Sequence, residues 1–228
     1  MREISIKDLI TYRRKLDAGK RKFVNDLNMN FEKKVNDDGG GGNYWICCTS
    51  AIVNCFKTNN LQFIIDKIDE LKYKLEQSDI DKTKIMYRRN ISILNNYEAF
   101  DFSDFKPISK LTFLKKHKND SILNVNGLQI KITPDCVFSF VSNRNNEIGA
   151  IWFIAKLDGY NVDELGMFTD ILFRYLNQVY SKTHTIDPKY CIAVDIMKNN
   201  FVNFSSIQNL EVPAILDSTI AEINKFRK

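Results

Sequence analysis

One stretch constrains the fold of this chain more than any other: residues 136–197. CVFSFV (136–141) and IGAIWFIAKL (148–157) are apolar runs of strand length, and the polar SNRNNE between them reads as a turn. DELGMFTDILFRYLNQVY (163–180) then changes period. Leu165, Phe168, Ile171, Leu172, Tyr175, Leu176 and Val179 fall at the i, i+3, i+4, i+7 spacing of one helix face. YCIAVDIM (190–197) returns to a buried strand pattern. A strand, a helix and a strand in this order predict a parallel pair joined by a right-handed crossover.

The flanking segments are mostly helical. Ile6, Leu9, Ile10, Leu16, Phe23, Leu27 and Phe31 suggest one long or broken helix over 5–34. NDDGGGGN (36–43) is a connector, because four consecutive glycines do not stay helical. YWICCTSAIVNCF (44–56) is apolar almost all round and predicts a buried helix. An amphipathic helix runs on to about residue 77, and another, capped by Asp79 or Asp81, carries Ile85, Met86, Ile91, Leu94 and Tyr97. Pro107 stops the helical part. ILNVNGLQIKIT (122–133) has alternation on both sides of Asn126-Gly127, a hairpin pattern. A short strand near VNFSSI (202–207) and a terminal helix over about 212–227 complete the chain. The expected class is α/β, with a helical region over 1–110 and an α/β core with a C-terminal helix over 111–228, or both as one integrated domain.

Composition narrows the function classes. The 33 Lys and Arg exceed the 28 Asp and Glu by 5, with a pI near 8.8, which permits a polyanionic partner without demanding one. The five cysteines are odd in number, lie in apolar stretches and form no CxxC; the two histidines, His117 and His184, lack metal-spaced partners. Reduced, buried thiols are expected rather than zinc ligands or disulfides. MREISIKDLITYRRKL contains no apolar core of a secretion signal and no window reaches membrane-span length, so a cytoplasmic protein without a membrane partner is expected.

Chemistry concentrates at two dipeptides. Pro134-Asp135 opens the first strand and Ala155-Lys156 closes the second. Together with the order helix, three strands, helix, strand, these resemble the PD-(D/E)XK nuclease superfamily over about residues 80–200. The resemblance implies a restriction-endonuclease-like core in which Asp135 binds Mg²⁺ (or Mn²⁺), a second acid shares the ion and Lys156 orients the attacking water. Phosphodiester hydrolysis needs such an ion to neutralise developing charge, and hard oxygen ligands suit it. The family's acid two residues before the lysine is replaced here by Ile154. Two readings stay open. The acid has moved into the following helix, with Asp170 as its replacement and Glu164 and Glu98 as further metal ligands. Alternatively the site is silent, and the fold survives as a subunit that binds a partner protein or nucleic acid. Asp195 interrupts an apolar strand and faces either a site or a buried partner; Glu147 falls in the expected turn.

The resemblance therefore implies Mg²⁺-dependent cleavage of DNA, in a restriction or anti-phage setting, with catalytically inactive binding as the alternative and a homodimer compatible with either. A helical interaction protein unrelated to nucleases is a third reading, resting on the helix-rich first 100 residues. Candidate phosphate contacts are Arg13 and Arg14 in YRRK, Arg88 and Arg89 in YRRN, and Lys115 and Lys116 in LKKHK; solvated helix faces explain the same pattern. GGGGN lacks the GK[ST] of a phosphate-binding loop, and no histidine is placed to activate a cysteine nucleophile.

Overall fold

The computed structural model describes residues 3–28, 44–115 and 121–227. A short strand, β1 (Ile4–Ser5), leads into α1 (Ile6–Arg13). Ser5 caps this helix: its hydroxyl accepts the Asp8 N–H, while the Asp8 carboxylate accepts the Ser5 N–H. The chain breaks after α1, and α2 (Asp17–Asn28) follows, so the long amphipathic stretch is two helices. Residues 29–43, including the glycine run, lie outside the described residues.

Next come α3 (Ile46–Thr58), α4 (Gln62–Gln77) and α5 (Asp81–Asn95). Helix α3 buries one face, Cys48, Ala51, Ile52, Cys55 and Phe56, and leaves Ile46 half exposed. Its sequence is apolar all round, but one side meets the sheet and the other meets solvent or the groove described below. Ile64, Ile68 and Leu71 of α4 pack with Ile93 and Leu94 of α5 into the same cluster.

The second half builds two sheets from β2 (Thr112–Phe113), β3 (Ile122–Val125), β4 (Leu128–Lys131), β5 (Cys136–Ser142), β6 (Asn145–Ile154), β7 (Thr185–Asp195) and β8 (Asn200–Asn203). The larger sheet runs β2-β5-β6-β7-β8. Only β6 and β7 pair in parallel, joined by α6 (Val162–Tyr180) as the expected crossover. The predicted 122–133 hairpin forms, with Asn126 and Gly127 both at positive φ (48° and 83°), as a two-residue turn of this kind requires. It does not join the main sheet, however. Its strand β4 pairs in parallel with β1, Ile4 opposite Ile130, in a separate three-stranded sheet. The two-residue strand β2 pairs with β5 at the edge of the main sheet. The expected turn at 142–147 is likewise tighter. Only Asn143 and Arg144 form it, and Glu147 lies within β6.

Both faces of the larger sheet are covered. Along β6, Ile148, Ala150, Trp152 and Ile154 enter one core with α6, α1, α2 and the C-terminal helices α7 (Phe204–Gln208) and α8 (Leu216–Phe226). Ile151, Phe153 and Ala155 enter the other, beneath α3, α4 and α5. Two-sided burial explains why these strands are continuously apolar instead of alternating. The helical first half therefore supplies covers for the sheet. Gly149 is required where β6 and β7 shift register: a Cβ there would lie 2.6 Å from both Cβ and O of Tyr190. The segment expected as a strand at 202–207 divides, with β8 ending at Asn203, whose side chain caps α7 through the Ser206 N–H. All five cysteines are free. Among the described residues, no helix is long and apolar enough to cross a membrane.

Candidate functional site

Three adjoining clefts, together called the groove, lie around the carboxyl end of β6, the start of β5 and the Tyr44-Trp45 corner. Its middle part, about 390 Å³, is lined by Lys7, Lys131, Thr133, Asp135, Trp45 and Ile154 among others. On one side a cleft of about 420 Å³ continues past Lys7, Tyr44, Trp45 and Ala155 to Arg89 and Lys156. On the other, a cleft of about 310 Å³ adjoins it at Asp135 and is bordered by Lys57 and Lys115. Six bases (Lys7, Lys57, Arg89, Lys115, Lys131, Lys156) and a single acid, Asp135, thus line the three described parts. Low-dielectric walls with one sign of charge focus the potential along such a path.

Asp135, just before β5, borders the middle cleft, and Lys156, just beyond β6, borders the adjoining one. Asp135 also extends the sheet: its N–H donates to the Ile151 carbonyl at 3.0 Å and its Oδ2 accepts the Phe153 N–H at 2.7 Å. Lys156 is half-buried, with its Nζ 5.9 Å from the centre of the Tyr160 ring.

The other acids are held elsewhere. Asp170 is buried and paired with Arg174 one turn on, at 2.7 Å and 3.2 Å, and Arg174 also grips Asp217 of α8 with two hydrogen bonds. Burial raises the Asp170 pKa despite the arginine, whereas the Arg174 contacts lower that of the more exposed Asp217. Glu164 closes the capping box at the start of α6 with Asn161 and receives both Nε and Nη2 of Arg14. Glu98 is exposed just beyond α5. None of the three lines the groove.

Ile154 has a physical reason. Its register partner on β7 is Asp195, so the two side chains share a face. Asp195 is fully buried; Oδ2 accepts the Tyr160 N–H at 2.7 Å and Oδ1 the Met197 N–H at 2.9 Å. It thereby fastens the turn after β6, where Gly159 has φ +67° and a Cβ would come within 2.7 Å of that carboxylate. The acid in the apolar strand has buried backbone partners, and a second acid at 154 would sit beside it. Among the described residues, no three His, Cys, Asp or Glu side chains form a group that could hold a metal ion. With Asp135 as the one acid at the groove, the residues present do not fit a shared Mg²⁺ or Mn²⁺, which takes several hard oxygen ligands.

The basic candidates divide the same way. Arg89 and Lys115 line the groove. Arg13 donates to Thr219 Oγ1, Arg14 is held by Glu164, and Arg88 is exposed away from the lining; Lys116 lies outside the described residues. Sequence reasoning missed Lys7, Lys57, Lys131 and the pair Tyr44–Trp45. The aromatic corner is held by Asn90, which is fully buried, donates to the Tyr44 and Met86 carbonyls and accepts the Cys48 N–H. The asparagine that ends YRRN, at a buried helix position, was the one available pointer to that clamp. No protein family, curated protein or solved structure matches the chain.

Proposed function

We propose that this chain binds nucleic acid through its basic groove, on a PD-(D/E)XK-like core that has kept the motif's position but not its set of acids. The observation that carries this reading is the lining itself: six bases against one acid along three adjoining clefts. Such a lining fits a phosphate backbone, whose contacts supply most non-specific affinity. The order α5, β2, β5, β6, α6, β7 supports the nuclease-like assignment of the core. The test is fluorescence anisotropy of the whole protein with labelled oligonucleotides at several salt concentrations. Binding that weakens log-linearly with salt, and further in Lys7→Ala/Lys131→Ala, agrees with the proposal; salt-independent binding or none refutes it.

A second reading, phosphodiester cleavage, is favoured by one observation: Asp135 and Lys156 border two adjoining clefts that share Lys7, Tyr44, Trp45 and Ala155. Supercoiled plasmid incubated with Mg²⁺ or Mn²⁺ decides it. Nicking that Lys156→Ala abolishes establishes cleavage, and intact plasmid under conditions of measured binding leaves the protein as a binding module.

A further inference from the structure

We infer that the strand taken by the groove is single, with unstacked bases resting on Tyr44 and Trp45; this rests on the nucleic-acid reading above. The two aromatics line both the middle cleft and the cleft that reaches Lys156, and are half-buried there. They therefore stand between the bases on either side of them, Lys131 in one cleft and Arg89 and Lys156 in the other. A duplex offers a groove its phosphates and base edges, with the base faces already stacked. Aromatic side chains set among phosphate-binding cations are useful to a strand whose bases are splayed, since every base has a face to stack.

The platform is built rather than incidental. Tyr44 and Trp45 meet edge-to-face, with centroids 4.5 Å apart and planes at 65°, and Trp45 has no stacked aromatic partner among the described residues. Arg89 donates to the Tyr44 hydroxyl at 2.9 Å and lies 5.9 Å from its ring centre. Asn90 pins the backbone of the same corner to α5 at 2.8 Å. Side chains whose placement is fixed before binding lose little entropy when a base arrives.

The chain contains two tryptophans, which gives a direct readout. Trp152 borders the middle cleft too but is buried, its indole N–H bonded to the Thr133 carbonyl, so the part of the quench that Trp45→Phe removes is the part due to a base on Trp45. The experiment titrates the whole protein, in chelator and without metal, with oligo(dT) and with a duplex of the same length, reading both anisotropy and tryptophan emission. The expected result is tighter binding of oligo(dT) than of duplex and quenching of emission. Trp45→Ala should bind oligo(dT) about 5- to 150-fold more weakly, and Trp45→Phe, which keeps a smaller ring to stack on, should lose less than Trp45→Ala. The slope of log K against log salt should reach at most about −4 if all six bases engage. Duplex preferred over oligo(dT), or oligo(dT) bound without quenching, overturns the single-strand inference and leaves nucleic-acid binding intact. No binding of either probe overturns both. The quench is assigned through Trp45→Phe, which keeps a ring at the position, so the outcome does not depend on Trp45→Ala folding.

Discussion

Two acids thirty-five positions apart in the chain, Asp135 and Asp170, look equivalent beside Lys156 in the sequence and lead opposite lives in the fold. Asp135 lies where two of the three clefts adjoin, among the bases that line them. Asp170 lies buried on α6 in a chain of charge that runs through Arg174 to Asp217 and ties α6 to α8. A carboxylate's surroundings, not its distance from a motif, decide whether it is available to a ligand. An arginine with both ends engaged marks a structural acid, while a groove with surplus bases marks one placed among ligands for an anion.

That contrast is exposed to experiment. The largest effect is expected from Ile154→Glu, which places an acid at the position where a PD-(D/E)XK motif carries one. It removes a buried aliphatic side chain from the core, worth about 1.5–3 kcal/mol, and sets a carboxylate beside buried Asp195. Urea unfolding should show a loss of about 4 kcal/mol with an unchanged m value; a stable variant that gains plasmid cleavage would overturn the account of Ile154. Next, Arg174→Ala leaves Asp170 buried without its cation. A loss near 3 kcal/mol is expected, at the low end for buried pairs because Arg174 is one third exposed. Oligonucleotide affinity should not change, and a parallel fall in affinity would join the two regions that are separated here.

The pH dependence gives a smaller and signed effect. The Asp217 pKa is lowered in the folded state by Arg174, so its contribution is present above the usual value of 3.8 and is lost as pH falls through the folded pKa. The Asp170 pKa is raised, so its protonation favours the folded state in the same acid range and partly offsets that loss. Asp217→Asn should therefore flatten the fall in stability between about pH 5 and pH 3, followed by thermal unfolding across that range. Asp170→Asn should steepen it. The smallest change belongs to the groove's far end. Lys57→Ala/Lys115→Ala should leave the melting temperature alone and weaken oligonucleotide binding, lowering the salt slope by about 1.4, from about 0.7 per lost phosphate contact on a single strand.

Legibility in the sequence followed the length of each element. The α6 stripe, the Asn126-Gly127 turn and the apolar runs of β5, β6 and β7 announce themselves by period, because burial repeats over many residues. Strands β1 and β2, two residues each, carry no period, and their partners lie far along the chain at Ile130 and Phe138. This is why neither strand was expected and the hairpin's separate sheet went unread. Asp170–Arg174 is an i, i+4 pair and readable in principle; its link to Asp217 across 43 residues is not. Tyr44 and Trp45 were taken into a buried helix because apolar character alone does not distinguish a core face from a groove wall.

The parallel pairing of Ile4 with Ile130 has a consequence for the order in which the molecule is made. It closes a loop that spans more than half the chain, a costly step in chain entropy compared with the adjacent-strand turn of β5 and β6. The residues just past that junction, Lys7 from one partner and Lys131 from the other, stand on the groove wall. The fold thus completes the wall of the middle cleft by a long-range closure, and a chain that had made its helices and its main sheet but not this junction would have the core without that wall.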